Sequence, residues 1–121
     1  MAFQMVSGLL YLRKQNQFHR DVKPQNVLLK RTGQVKLADF GLTKELDDSL
    51  EMANTFVGTC RYLSPERVQN LPYDYLSDVW SLGVLLYECA SGVPLFGDRT
   101  HLAVRYLNIL FHLNSYNFLI I

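Results

Sequence analysis

The sequence predicts an α+β fold that is mainly helical and carries one small β-hairpin. Three observations predict it: a helix-period apolar pattern near the N-terminus, two short β-prone runs joined by a glycine turn, and an apolar run ended by Gly92 and Pro94.

Over residues 3–17, Phe3, Val6, Leu9, Leu10 and Leu12 recur near helical spacing, as the core-facing stripe of an amphipathic helix does. Residues 26–30 (NVLLK) and 34–38 (QVKLA) read as strands, with Lys30-Arg31-Thr32-Gly33 as the turn between them. From Gly41 to Arg61 the chain is polar, weakly periodic and long for a loop, a combination typical of functional segments. Residues 76–91 (LSDVWSLGVLLYECAS) are apolar on nearly every side, which predicts a buried helix. This run is shorter than the roughly 20 residues that span a bilayer, and Asp78 and Glu88 interrupt it. Residues 102–121 begin with a helix-like pattern that fades after Leu110. Arg105, Asn108, His112, Asn114 and Asn117 argue against a membrane anchor there, since each is costly in hydrocarbon.

Composition narrows the class. A chain of 121 residues has room for one domain, and its 49% hydrophobic content, with seven Tyr and seven Phe, argues against global disorder. Twelve Lys and Arg stand against eleven Asp and Glu, a net charge of +1. Nucleic-acid and anionic-membrane binders need clustered basic charge, so neither class is expected. Cys60 and Cys89 have no metal-ligand spacing and fit a reducing compartment, hence a cytoplasmic or nuclear location. The N-terminal residues lack the charged start and apolar run of a signal peptide.

The chemistry is concentrated in His19-Arg20-Asp21-Val22-Lys23-Pro24-Gln25-Asn26 and, eighteen residues beyond Asp21, Asp39-Phe40-Gly41. Phosphoryl transfer needs a metal ion to neutralise phosphate oxygens, a carboxylate to orient the attacking hydroxyl and a cation near the moving group. Mg²⁺ takes oxygen ligands, usually only one or two of them from protein. Asn26 and Asp39 suit that demand, Asp21 suits the carboxylate role, and Lys23 supplies the cation. The tripeptide His-Arg-Asp alone would be an ordinary solvated loop; the full set at this spacing is not a chance occurrence.

These motifs resemble the eukaryotic protein kinase family, serine/threonine type: the catalytic loop with its trailing Asn, then the metal-binding turn. The resemblance covers about residues 3–97 and implies the mainly helical large (C-terminal) lobe of a kinase fold, truncated at both ends. Residues 98–121 would be a tail of uncertain structure. Gly58-Thr59-Cys60-Arg61-Tyr62-Leu63-Ser64-Pro65-Glu66 resembles the family's substrate-pocket segment, with Ser64 in place of Ala. Lys23 and Thr59 are the residue types of serine/threonine rather than tyrosine kinases. By the resemblance, Asp78 braces the catalytic-loop backbone, His19 and Phe40 stack into a core spine, and Leu28 lies under an adenine. For His19 and Leu28 plain packing is the simpler reading, and for Asp78 a carboxylate at a helix N-terminus. Arg20 would pair with a phosphorylated residue, either Ser49 or Thr55. The run from Asp48 to Thr59 resembles the activation segment of MAP kinase kinases, and the five residues between Ser49 and Thr55 resemble plant-type members.

The resemblance therefore implies a protein serine/threonine kinase, or a dual-specificity one, that uses ATP and Mg²⁺. It would take a protein substrate such as a MAP kinase and answer to an upstream activating kinase. No Gly-rich loop, lysine strand or glutamate-bearing helix has a match in these residues. Positioning can supply roughly 7–11 kcal/mol of a barrier, so the fragment alone is expected to be inactive, and a non-catalytic interaction fragment is the alternative. Glu66 would lack its arginine partner, leaving it either solvent-exposed or a defect. A truncated gene product or an incomplete gene model is the expected origin, and the helix at 76–91 would be poorly sheltered.

Overall fold

The structure is a computed structural model that describes residues 1–39 and 60–96. Phe40, Gly41, Ser49, Thr55, Thr59 and the tail 98–121 lie outside the described residues. In chain order the elements are α1 (Ala2–Lys14), a 3-10 turn at Pro24–Asn26, β1 (Val27–Leu29), β2 (Val35–Leu37), a 3-10 turn at Cys60–Tyr62, α2 (Pro65–Val68) and α3 (Leu76–Ser91). Both predicted strands form, and they pair as an antiparallel hairpin with Val27 opposite Leu37, Leu28 opposite Lys36 and Leu29 opposite Val35. Gly33 closes the turn at φ 81°, a left-handed conformation that costs glycine little. Its N–H donates to the Lys30 carbonyl at 2.9 Å.

Helix α1 stops three residues earlier than the pattern predicts and buries a different face. Met5 and Leu12 are in the core, whereas Phe3 is 83% exposed and Val6 and Leu10 are also exposed. The reason is the hairpin. A Cβ placed on Gly8 would meet Leu37 Cδ1 at 3.4 Å, so the Met5-Gly8-Leu9-Leu12 side is the one that lies against β2. Gln4 fixes the same register with its side-chain amide: Nε2 donates to the Gly33 carbonyl at 3.2 Å, and Oε1 accepts from the Val35 N–H at 2.8 Å. One carboxamide thus gives β2 the pairing a third strand would have given it.

Helix α3 spans the predicted residues, and Gly92 caps it at φ 74°, donating to the Glu88 carbonyl. It is not apolar and covered all round. Its buried stripe is Ser77, Asp78, Ser81, Leu82, Val84 and Leu85, while Leu76, Val79 and Tyr87 are exposed. The first two turns therefore bury polar groups, and each has a partner. Ser81 Oγ donates to the Tyr62 carbonyl at 2.6 Å, and the Ser64 and Ser77 hydroxyls lie 3.0 Å apart. The main core joins Met5, Val22, Val35, Tyr62, Leu82, Val84, Leu85 and Phe96. Among the described residues, no helix is long and apolar enough to cross a membrane.

The two cysteines differ sharply in environment. Neither is in a disulfide. Burial pushes the Cys60 thiol up to about 11, whereas Cys89 is exposed on α3. Thiolate is the reacting species, so iodoacetamide at pH 8 is expected to label Cys89 in the native chain and Cys60 only after denaturant. Peptide mapping checks this, and equal labelling of both under native conditions would contradict the packing of the Cys60–Tyr62 turn.

Candidate active site

The catalytic-loop residues come together because the backbone alternates. Val22 is buried in the core, and in an extended stretch its neighbours point the other way. Lys23 has extended dihedrals, φ −158° and ψ 164°. Asp21 and Lys23 therefore share one side, where Lys23 Nζ sits 2.7 Å from Asp21 Oδ2. Pro24 then starts a 3-10 turn with a φ it already prefers, and the turn carries Asn26 back toward Asp21. The Asn26 amide nitrogen donates to both the Asp21 carbonyl and Asp21 Oδ2, each at 2.8 Å. One carboxylate oxygen is thus held by two donors of different kinds, and Asn26 itself is buried.

The segment that leads to Asp39 is fastened to this loop. Ala38 N–H donates to the Asn26 carbonyl at 2.8 Å. The Ala38 carbonyl in turn lies 3.0 Å from His19 Nε2. Because His19 Nδ1 accepts from the Asp21 N–H at 3.3 Å, Nε2 carries the imidazole proton and donates to Ala38. Asp39 follows directly, exposed and left-handed at φ 63°.

Behind the loop stands Asp78. It is buried, yet its Oδ2 accepts from the His19 N–H at 2.6 Å and its Oδ1 from the Arg20 N–H at 2.8 Å. Burial pushes its carboxyl above the ordinary range, and the two backbone donors pull it partly back. Arg20 is left-handed at φ 70°, an arrangement non-glycine residues adopt only when their surroundings impose it.

Other expected site residues are placed as follows. Leu28 is 54% exposed on the outer face of the hairpin, so plain packing does not account for it. Glu66 is half-buried in the first turn of α2, where the helix dipole favours a carboxylate; it is neither fully exposed nor sealed in. Arg20 stacks on the Phe18 ring at 4.5 Å. Residues that the sequence reading passed over are Arg67, whose Nη1 donates to the Arg20 carbonyl, and Tyr62, whose hydroxyl donates to Glu88 Oε2 at 2.5 Å. The buried Ser77–Ser81 pair could have been found from its i, i+4 spacing on the stripe of Leu82 and Leu85.

The residues fit a magnesium-bound nucleotide. Asn26 spends its amide N–H groups on Asp21, which leaves its carbonyl oxygen, the atom a hard cation binds, outside those bonds. Among the described residues, no three His, Cys, Asp or Glu side chains cluster as a metal cage. A site made of one carboxylate and one carboxamide agrees with the preference of Mg²⁺ for phosphate and water as its remaining ligands.

The chain is 52% identical over 99 residues to the serine/threonine-protein kinase STE7 homolog of Candida albicans, covering 81% of this chain and 17% of that protein. It is 47% identical over 100 residues to dual specificity mitogen-activated protein kinase kinase 1 of Dictyostelium discoideum, with 82% and 15% covered. It is 51% identical over 92 residues to the MAP kinase kinase MKK1/SSP32 of Saccharomyces cerevisiae, with 76% and 18% covered. The chain thus spans under a fifth of the length of each. The protein kinase domain family matches residues 1–117, past the boundary at 97 drawn from the motifs. With its His19–Asn26 loop closed on Asp21 and MAP kinase kinases among the proteins it is similar to, this chain belongs to the protein kinase domain family.

Proposed function

We propose that these residues form the core of the large lobe of a MAP kinase kinase-like enzyme. It transfers the terminal phosphoryl group of ATP to a serine or threonine hydroxyl of a protein, with tyrosine included if it is dual-specific. The observation that carries this reading is the Asp21 carboxylate, gripped on one oxygen by Lys23 Nζ at 2.7 Å and Asn26 Nδ2 at 2.8 Å. Grip on one oxygen orients the other for a substrate hydroxyl, whose proton Asp21 takes as it attacks. Lys23 carries positive charge beside that oxygen, where negative charge accumulates on the moving group. Asn26 and Asp39 would hold Mg²⁺, which neutralises phosphate oxygens when bound. Leu28, apolar and exposed, offers a floor for an adenine.

The regulatory part of the proposal assigns Arg20 to a phosphate on Ser49 or Thr55, added by an upstream kinase; a MAP kinase is the substrate class that the relatives suggest. These 121 residues carry no match to the family's phosphate-covering elements, so turnover is expected from protein that supplies them. Nucleotide binding is testable on this chain. Ligand that binds only the folded state raises stability by RT ln(1 + [L]/Kd). The melting temperature should climb with millimolar ATP and Mg²⁺ and fall back with a chelator. A flat response would sink the nucleotide site and leave a non-catalytic interaction fragment as the better account.

A further inference from the structure

The Arg20–Asp21 peptide is held from both ends. Its preceding N–H, that of Arg20, donates to Asp78 Oδ1 at 2.8 Å, and its carbonyl accepts from Arg67 Nη1. Arg67 is itself aimed. Its guanidinium lies 4.9 Å over the Tyr73 ring, Tyr73 meets Phe18 edge to face at 5.8 Å, and Phe18 carries the Arg20 guanidinium at 4.5 Å. The four side chains close a ring that begins and ends on Arg20. Through it α2, in the substrate-pocket segment, is fastened to the residue before Asp21.

We propose that Arg67 is a positioning residue: its guanidinium holds the carbonyl of Arg20 and so aims the Asp21 carboxylate. The inference rests on the kinase reading above for its catalytic consequence, and on the ring of contacts alone for its structural one. Arg20 is left-handed, and the peptide that follows it sets the direction of the Asp21 Cα–Cβ bond. A carbonyl without a donor can rotate, and rotation there swings the carboxylate away from the pair it forms with Lys23 and Asn26. The planar fork suits the task, because it stacks on Tyr73 while donating in its own plane. A lysine could reach the carbonyl but would not stack in the same way.

Hydrogen exchange on the 121-residue chain tests the clasp without any need for activity. R67M should speed exchange of the His19, Arg20 and Asp21 amides about tenfold, as loss of one charge-assisted bond allows local opening. Exchange in the hairpin, residues 27–37, should stay as in the parent chain. R67K should recover part of the protection, and Tyr73→Leu, at a ring 38% exposed, should reproduce a smaller loss in the same amides. Uniform acceleration across the chain, or no change at residues 19–21, would overturn the proposal. In the phosphoryl-transferring form of the protein, R67M should lower kcat about tenfold at unchanged KM for ATP. Selective exchange with unaltered kcat would overturn the catalytic half. A parent chain with no response to ATP and Mg²⁺ counts against the proposed function, while the exchange data still decide the clasp.

Discussion

Asp78→Asn should lower the melting temperature by about 10 °C, and Asp78→Ala should leave little folded chain. Asp78 accepts from two buried backbone donors, at 2.6 Å from His19 and 2.8 Å from Arg20. An asparagine offers one acceptor and presents an NH₂ to the second donor, so one N–H is orphaned and meets another N–H. A buried unsatisfied donor costs about 1–3 kcal/mol. For a domain this small, 1 kcal/mol moves the midpoint by about 4–8 °C. Alanine orphans both donors, and that loss approaches the whole margin of about 5–15 kcal/mol. The pH dependence follows from the direction of the shift. The folded-state pKa of Asp78 lies above its ordinary 3.8 because burial penalises the charge. The stability linked to its proton is therefore complete below pH 3.8 and declines as pH rises through the raised value. Asparagine has no such proton, so the deficit of Asp78→Asn should be larger near pH 3.5 than at pH 7. Urea titrations of both chains at the two pH values measure it. Equal deficits, or a larger one at pH 7, would mean that the two backbone donors outweigh desolvation.

The elements that could be read from the sequence are those fixed by local chemistry. Gly33 and Gly92 take left-handed φ where a turn and a helix end require it, and both boundaries were visible from the residue type. The face of α1 was not. Phe3-Val6-Leu10 and Met5-Leu9-Leu12 both satisfy helical spacing, and only contact with β2, more than twenty residues away, selects the second. Helix α3 misled in the opposite way. Its mean character is apolar, but the stripe it buries begins with Ser77, Asp78 and Ser81, because that end faces loops whose N–H, C=O and hydroxyl groups need partners.

The site divides along the same line. Asp21, Lys23 and Asn26 were legible because alternation about Val22 and one 3-10 turn bring them together within six residues. Asp78 lies 59 positions from His19, and only resemblance linked the two. Arg67 had no signal at all. Its target is a main-chain carbonyl, and a carbonyl leaves no mark in a sequence.

Under the proposed kinase function, and in protein that supplies the phosphate-covering elements, Asp21→Asn and Asp39→Asn should both abolish most turnover, yet for separable reasons. Asp21 is paired with Lys23 and Asn26, and in the proposed mechanism it orients the substrate hydroxyl and does not hold the nucleotide. Losing a positioned general base costs about 10²–10⁴-fold in rate. Asp21→Asn should therefore drop kcat by that factor while the thermal response of the chain to ATP and Mg²⁺ survives. Asp39 would be the only anionic magnesium ligand of the pair, and Asn26 cannot replace its charge. Asp39→Asn should erase the magnesium-dependent part of that thermal response as well as the turnover. A chain whose response to ATP and Mg²⁺ was lost with Asp21→Asn but kept with Asp39→Asn would reverse the assignment. The anionic metal ligand would then be Asp21 rather than Asp39, and Ala38, pinned between Asn26 and His19, would be carrying Asp39 to the wrong side of the site.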